Sequence, residues 1–299
     1  MAETEAKITK YRGNCHCGGF VFEIEMPEVK QIVLCNCSIC IKKSYVSLMP
    51  GVELNIIKDE GLHTEYSFGN KNLTHRFCSK CGTATYGTAA AYPPPMNLGV
   101  NARCIQNLDV WKLNTKFYDG ATGDPKYTPP AYTGPEPTPA GIPENEGKIY
   151  HGSCHCGAVT VAVKTKHPID SEAYTEPVME CNCSACMRGG ETRIYPLKDA
   201  LIVQGKENIT GYVFGHKVWR DNFCKICGVH IYKDLNEEQT EEDIANLPED
   251  IQKFRNNFIN HRPFNLRVLN DLDVDSPGVK GKVRQVDGWT RQSPPYVNP

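Results

Sequence analysis

The sequence predicts a mainly β protein made of two tandem copies of one cysteine-stapled domain, with a short helical insert in the second copy. Three observations predict it: a cysteine pattern that occurs twice, strand-like patterning inside each copy, and a proline-rich stretch between them. The repeat comes first. Residues 11–19 read YRGNCHCGG and residues 150–158 read YHGSCHCGA. Cys35-Asn-Cys-Ser-Ile-Cys40 recurs as Cys181-Asn-Cys-Ser-Ala-Cys186, and Phe77-Cys-Ser-Lys-Cys-Gly82 as Phe223-Cys-Lys-Ile-Cys-Gly228. Thirty-seven residues separate Cys40 from Cys78, and 37 separate Cys186 from Cys224. The gap before the inner cysteines is looser, 17 residues after Cys17 but 24 after Cys156, so residues 167–176 read as a longer hairpin loop. Both copies end alike, on Asn107-Leu-Asp-Val110 and Asn270-Asp-Leu-Asp-Val274, then on Asp119-Gly120 and Asp287-Gly288 and a Pro-Pro segment.

The domains are therefore placed at 8–122 and 148–299. The linker is 123–147, where Pro125, Pro129, Pro130, Pro135, Pro137, Pro139 and Pro143 exclude a helix or central strand and predict a semi-extended strap. Residues 19–25 and 158–163 alternate or run β-branched and read as strands, as do 200–205 and 211–215. The exception is 236–259. There Ile244, Leu247, Ile251, Phe254 and Phe258 fall at helical spacing, which predicts one or two short helices broken near Pro248. The first copy has only an Ala-Pro loop at that point, residues 89–95.

The bulk numbers narrow the class. A chain of 299 residues holds two domains that can each bury a core. Hydrophobic content of 40% and charged content of 23% are ordinary for a soluble globular protein, and a net charge of −2 gives no long-range pull toward nucleic acid or an acidic membrane. No apolar run approaches the ~18–20 residues that span a bilayer. The acidic N-terminal segment lacks the apolar core of a secretory signal, so a cytoplasmic location is expected, with the nucleus as the alternative.

Fifteen cysteines are the outlying count. In a reducing compartment clustered cysteines bind metal more often than they pair, and an odd number cannot pair fully. Zinc favours thiolate sulfur in a tetrahedron, and a C-x-x-C turn brings two sulfurs to one side of an ion. Each copy offers seven thiols: enough for one closed four-thiolate site, with three left over. One partition closes Cys15, Cys17, Cys78 and Cys81 on one ion and leaves Cys35, Cys37 and Cys40 on a second ion with an open position. In the second copy Cys154, Cys156, Cys224 and Cys227 close, and Cys181, Cys183 and Cys186 stay open. The alternative is a single ion per copy bound by the C-x-C-x-x-C and C-x-x-C elements. Up to four zinc ions per chain follow from the first partition. Cys104, the fifteenth, has no counterpart and is expected as a buried small apolar residue in a strand.

An open ion on three thiolates carries a formal charge of −1 and is a weak Lewis acid for water; its better task is to take a fourth thiolate and hold it deprotonated. A thiol such as glutathione fits, with a small electrophile such as an aldehyde as the second partner.

The order C-x-C, C-x-C-x-x-C, F-C-x-x-C-G and then N-L-D-V resembles the glutathione-dependent formaldehyde-activating enzyme family, which includes the centromere protein V domain. The resemblance covers nearly the whole chain twice, apart from the linker and the insert. It implies a zinc-stapled β-tent fold, a structural zinc on the outer cysteines and a catalytic zinc on Cys35, Cys37 and Cys40 and on Cys181, Cys183 and Cys186. It implies adduct formation between glutathione and formaldehyde, a carbon–sulfur lyase activity. Two departures stand out. Asn36 and Asn182 occupy a place where the family often has histidine, and the residues after the inner triads differ between the copies, Ile41-Lys42-Lys43-Ser44-Tyr45 against Met187-Arg188-Gly189-Gly190-Glu191.

Lys42, Lys43 and Arg188 are candidates for the carboxylates of glutathione, with a solvated face as the alternative. Arg76 and Arg220 precede the C-x-x-C turns and suit either a carboxylate bridge or a cap on zinc-bound thiolates. His16 and His155, set between two thiols, are expected to point away from the outer ions. No nucleotide-binding or hydrolase motif is present. Three readings follow. The chain is a zinc-dependent enzyme joining a thiol to a small electrophile; or a zinc-stabilised binding module for a protein or chromatin partner; or an enzyme whose second copy only shapes the first. Self-association into a homo-oligomer is compatible with all three.

Overall fold

The computed structural model describes residues 7–123 and 126–299; residues 1–6, on which the leader reading rests, and Pro125 of the linker lie outside the described residues. The chain divides into two compact units. The first comprises residues 1–127 with 187–190 and 297–299, the second residues 128–186 and 191–296. Both are mainly β, and both are built to one plan.

In the first unit a three-stranded antiparallel sheet orders Ile8–Asn14, Phe20–Pro27 and Asn55–Asp59. A seven-stranded sheet orders Asn114–Tyr118, Gln31–Cys35, Val46–Leu48, Leu98–Asn101, Ala84–Ala89, Leu73–Cys78 and His63–Tyr66. Only its first pair is parallel, Asn114–Tyr118 on Gln31–Cys35, because that strand returns from the far end of the domain. The core of this unit holds Phe20, Phe22, Ile24, Ile39 and Phe77, each no more than 1% exposed.

The second unit repeats this order. Lys148–Ser153, Thr160–Thr165 and Leu201–Gln204 form the small sheet. Val283–Val286, Val178–Cys181, Arg193–Ile194, Phe264–Asn265, His230–Leu235, Trp219–Cys224 and Ile209–Val213 form the large one, again with one parallel pair at the same edge. Residues 128–147 pack within this unit: Lys164 Nζ donates to the carbonyls of Pro143 and Glu144, and the Tyr132 ring stacks on His151.

The insert is helical and breaks where the sequence predicts. Glu241–Ala245 begins with a capping box between Thr240 and Asp243, and Glu249–Asn257 begins with Pro248 as its cap. Its apolar face meets the sheet through Leu247, which packs with Val218 and Leu235, and through Phe254 and Phe258 against Trp219. The placement of Cys104 in a strand is corrected. Asn101 ends the strand by accepting the Arg103 N–H with its side chain, and Cys104 closes a 3-10 turn, Ala102–Cys104, fully buried. Val268 holds the same place in the second copy, on the turn capped by Asn265, so the site takes a small apolar side chain. Among the described residues no helix is long and apolar enough to cross a membrane.

Candidate metal centres

Four groups of thiols converge in the two units. Cys15, Cys17, Cys78 and Cys81 form one, Cys154, Cys156, Cys224 and Cys227 its equivalent, and Cys35, Cys37, Cys40 and Cys181, Cys183, Cys186 form two sets of three. Within each group the sulfurs lie within 4.8 Å of one another. None of the fifteen cysteines is in a disulfide.

The outer sets are held by turns at both ends. After Phe77-Cys78 the chain turns back so that Gly82 N–H donates to the Cys78 carbonyl; Gly228 does the same for Cys224. Both glycines have positive φ, 71° and 69°, which other residues adopt only at a cost. The C-x-C arm adds amide donors, with Phe20 N–H to Cys15 Sγ and Val159 N–H to Cys154 Sγ, each at 3.3 Å. The spacing of the sulfurs tests whether a metal fits. Cys15 to Cys17 is 3.6 Å and Cys17 to Cys78 is 3.5 Å; in the second copy Cys154 to Cys156 is 3.5 Å and Cys156 to Cys224 is 3.6 Å. A tetrahedron with Zn–S bonds of about 2.3 Å sets its sulfurs about 3.8 Å apart, whereas a disulfide needs about 2.05 Å. The outer sets match the tetrahedron. Sulfurs so close cannot all ionise by themselves. The Cys17 sulfur, then Cys78 and Cys81, push the Cys15 thiol far up, and Cys35 and Cys37 do the same to Cys40. A cation lets the whole set ionise.

The inner triads sit between a strand end and a short helix. Cys35 closes the strand Gln31–Cys35, Cys37 caps the helix Ser38–Lys43, and Cys40 lies in its first turn. Cys181 closes Val178–Cys181, and Cys186 lies in Ser184–Gly189. In both copies the middle cysteine's N–H donates to the first sulfur at 3.4 Å. Cys40 and Cys186 are buried while the other four are half-buried, so each triad has a closed side and an open one.

A second element covers each triad, and sequence reasoning missed its role. Asn36 Nδ2 donates to Asp119 Oδ1 at 2.7 Å, and its Oδ1 accepts the Ala121 N–H at 2.9 Å. Asn182 Nδ2 donates to Asp287 Oδ1 at 3.1 Å, and its Oδ1 accepts the Trp289 N–H at 2.8 Å. This clamp lays the Asp-Gly turn of the last strand on the thiols. A Cβ on Gly120 would stand 2.5 Å from Cys35 Sγ, and one on Gly288 would collide with Cys181 Sγ. Only glycine leaves room there. The signal was in the repeat itself, since Asp-Gly occurs at the same place in both copies, but its partner lies 83 residues back in sequence.

The basic candidates do not lie on a solvated face. Lys42, Lys43 and Arg188 are each 5% exposed. Lys43 Nζ lies 4.5 Å over the Phe77 ring, and Arg188 donates to the carbonyl and side-chain oxygens of Asn14. Arg76 bridges to Glu65 and Arg220 to Glu238, both carboxylate partners. His16 and His155 are buried and belong to none of the four thiol groups.

Two tandem β domains, each with one four-thiol and one three-thiol cluster that could hold a metal ion, define a cysteine-cluster protein with candidate metal sites. The family model described as glutathione-dependent formaldehyde-activating enzyme matches residues 10–120 and again residues 149–248, and the chain belongs to that family. A crystal structure of a Rhodobacter sphaeroides protein is also similar, at 24% identity over 46% of this chain and 99% of that one, with a TM-score of 0.32.

Proposed function

We propose that the chain is a zinc-dependent carbon–sulfur lyase that joins glutathione to formaldehyde, or to another small electrophile, at the three-thiol sets. The observation that carries this reading is the inequality of the two clusters in each copy: four thiols close one, three leave the other open. Zinc on three thiolates supplies a position for one further thiolate and keeps that sulfur deprotonated at neutral pH. The reaction balances simply. The thiol sulfur attacks the aldehyde carbon, a carbon–sulfur bond forms, the C=O π pair moves to oxygen, and the thiol proton ends on that oxygen. The reverse direction breaks the same bond.

The protein's own residues do the rest. Cys35, Cys37 and Cys40, and Cys181, Cys183 and Cys186, would hold the ion. The Asn36–Asp119 and Asn182–Asp287 clamps fix the turn that limits access from one flank. Lys42 and Lys43, and Arg188 after the second triad, are the candidate contacts to glutathione carboxylates. Their burial supports a part in holding the helix ends as well.

The test compares Cys37→Ser, Cys183→Ser and the double variant. It measures bound metal and the rate of glutathione–formaldehyde adduct exchange above the spontaneous rate by NMR. Each single variant should lose one metal equivalent, and the double variant should lose all catalysed exchange while both units stay folded. Full exchange in the double variant would remove the enzyme reading and leave a binding module.

A further inference from the structure

The two inner triads share their ligands but not their neighbours. The strand registers identify the exchanges. Ser47 pairs with Asn101 and Arg193 with Asn265, and both asparagines cap a 3-10 turn, so Ser47 and Arg193 are equivalent. His75 pairs with Gly87 and Asp221 with Lys233, each three residues before the C-x-x-C turn. Tyr45 and Glu191 each follow the third inner cysteine by five residues. In the first copy Tyr45 stacks on His75 at 5.4 Å. In the second, Lys233 pairs with Asp221 and stands 3.6 Å from Glu191, all three buried.

Arg193 belongs to this charged group and reaches the triad. Its Nη2 donates to Cys186 Sγ at 2.9 Å, and its Nε has no hydrogen-bond acceptor among the described residues. Burying a guanidinium is costly unless its partners compensate it, and here the compensating atom within reach is a ligand sulfur, with the Glu191 carboxylate contributing at longer range. The equivalent Ser47 carries no charge, and Lys43, one of two buried lysines that follow the first triad, lies over the Phe77 ring instead.

We propose that Arg193 is a positioning residue that makes the second triad the tighter site for an incoming thiolate. The proposal rests on the reading that both triads hold a metal. Two effects point the same way. A divalent ion on three thiolates would sum to −1, so a fourth thiolate would approach against like charge; the guanidinium is the cation held at hydrogen-bond distance from a triad sulfur and offsets that charge locally, although Lys233, Asp221 and Glu191 together return −1 to the wider buried group. A donor on Cys186 also draws electron density from that sulfur, so it gives less to the metal, and the metal accepts more from a new ligand. The planar Arg fork, held by its buried surroundings, keeps this donor aimed.

The test is cadmium-113 NMR of the full chain loaded with cadmium, titrated with glutathione, for the unchanged protein and for Arg193→Gln, with Cys183→Ser assigning the second-copy signal. Arg193→Lys serves as a milder variant if the glutamine form folds poorly. The unchanged protein should show two inner resonances, of which the second-copy one moves at the lower glutathione concentration. Arg193→Gln should shift that resonance alone and raise its midpoint about tenfold. Two inner resonances with an unchanged second-copy shift and midpoint in Arg193→Gln would overturn the proposal. Outer resonances alone, with no inner pair, would instead overturn the metal reading beneath it.

Discussion

The first and second copies keep the same thiols, the same clamp and the same strand order, yet they surround the inner triad with opposite chemistry. Around Cys35, Cys37 and Cys40 the second layer is aromatic: Tyr45 on His75, and Lys43 over Phe77. Around Cys181, Cys183 and Cys186 it is ionic: Arg193 on Cys186, and Lys233 between Asp221 and Glu191. The outer sets show no such divergence, and their sulfurs sit at 3.5–3.6 Å in both copies. The difference teaches where each kind of constraint acts. A closed four-thiol set stabilises a fold and tolerates little change, whereas an open set can be retuned through residues that never touch the metal.

The largest effect is expected at the outer sets. Cys15→Ser should unfold the first unit, and Cys154→Ser the second, because apparent binding energies of structural zinc reach about 10 kcal/mol and more. Hydrogen exchange resolved by peptide checks this, and a variant that keeps native protection in the affected unit would break the comparison. Next in size is Lys233→Met, which strands two buried carboxylates. A loss of about 3–5 kcal/mol in denaturant unfolding is expected. Burial opposes the charge on both partners: at Lys233 the attraction of Asp221, Cys186 and Glu191 overcomes it and raises the pKa, whereas at Asp221 burial outweighs Lys233 and raises the pKa too. A loss under about 1 kcal/mol would show that the ionic layer of the second copy is incidental. The smallest and most local effects are at the glycine turns. Gly120→Ala should weaken metal binding at the first triad alone, and Gly288→Ala at the second alone, by about 100-fold each, with Asn36→Ala and Asn182→Ala nearer tenfold. Chelator competition reads these values, and equal weakening of the outer sets would mean the turns are not specific to the triads.

Much of the fold was legible because cysteine spacing is a rigid ruler. The two identical 37-residue gaps carry the same run of four strands in both copies, with lengths that differ by a residue and are made up in the loops. The insert was legible too, since Ile251, Phe254 and Phe258 mark one helix face and Pro248 marks its break. The clamp was half legible. The sequence showed Asn36 as a departure and Asp119-Gly120 as a repeat, but nothing in linear order joins them; the parallel strand Asn114–Tyr118 does. Arg193 was not legible at all. Its role depends on a two-residue strand, Arg193–Ile194, whose register aims one side chain at Cys186. Lys42 and Lys43 were legible as basic candidates beside the first triad, but a pair of lysines in a short helix gives no sign that both are buried, and the solvated-face alternative fails on that burial.

The most direct measurement is the ratio of zinc to chain in the purified, untagged protein, by elemental mass spectrometry. Four thiol groups predict a value near four. A value near two, unchanged by Cys37→Ser and Cys183→Ser, would contradict the claim that the inner triads are metal sites.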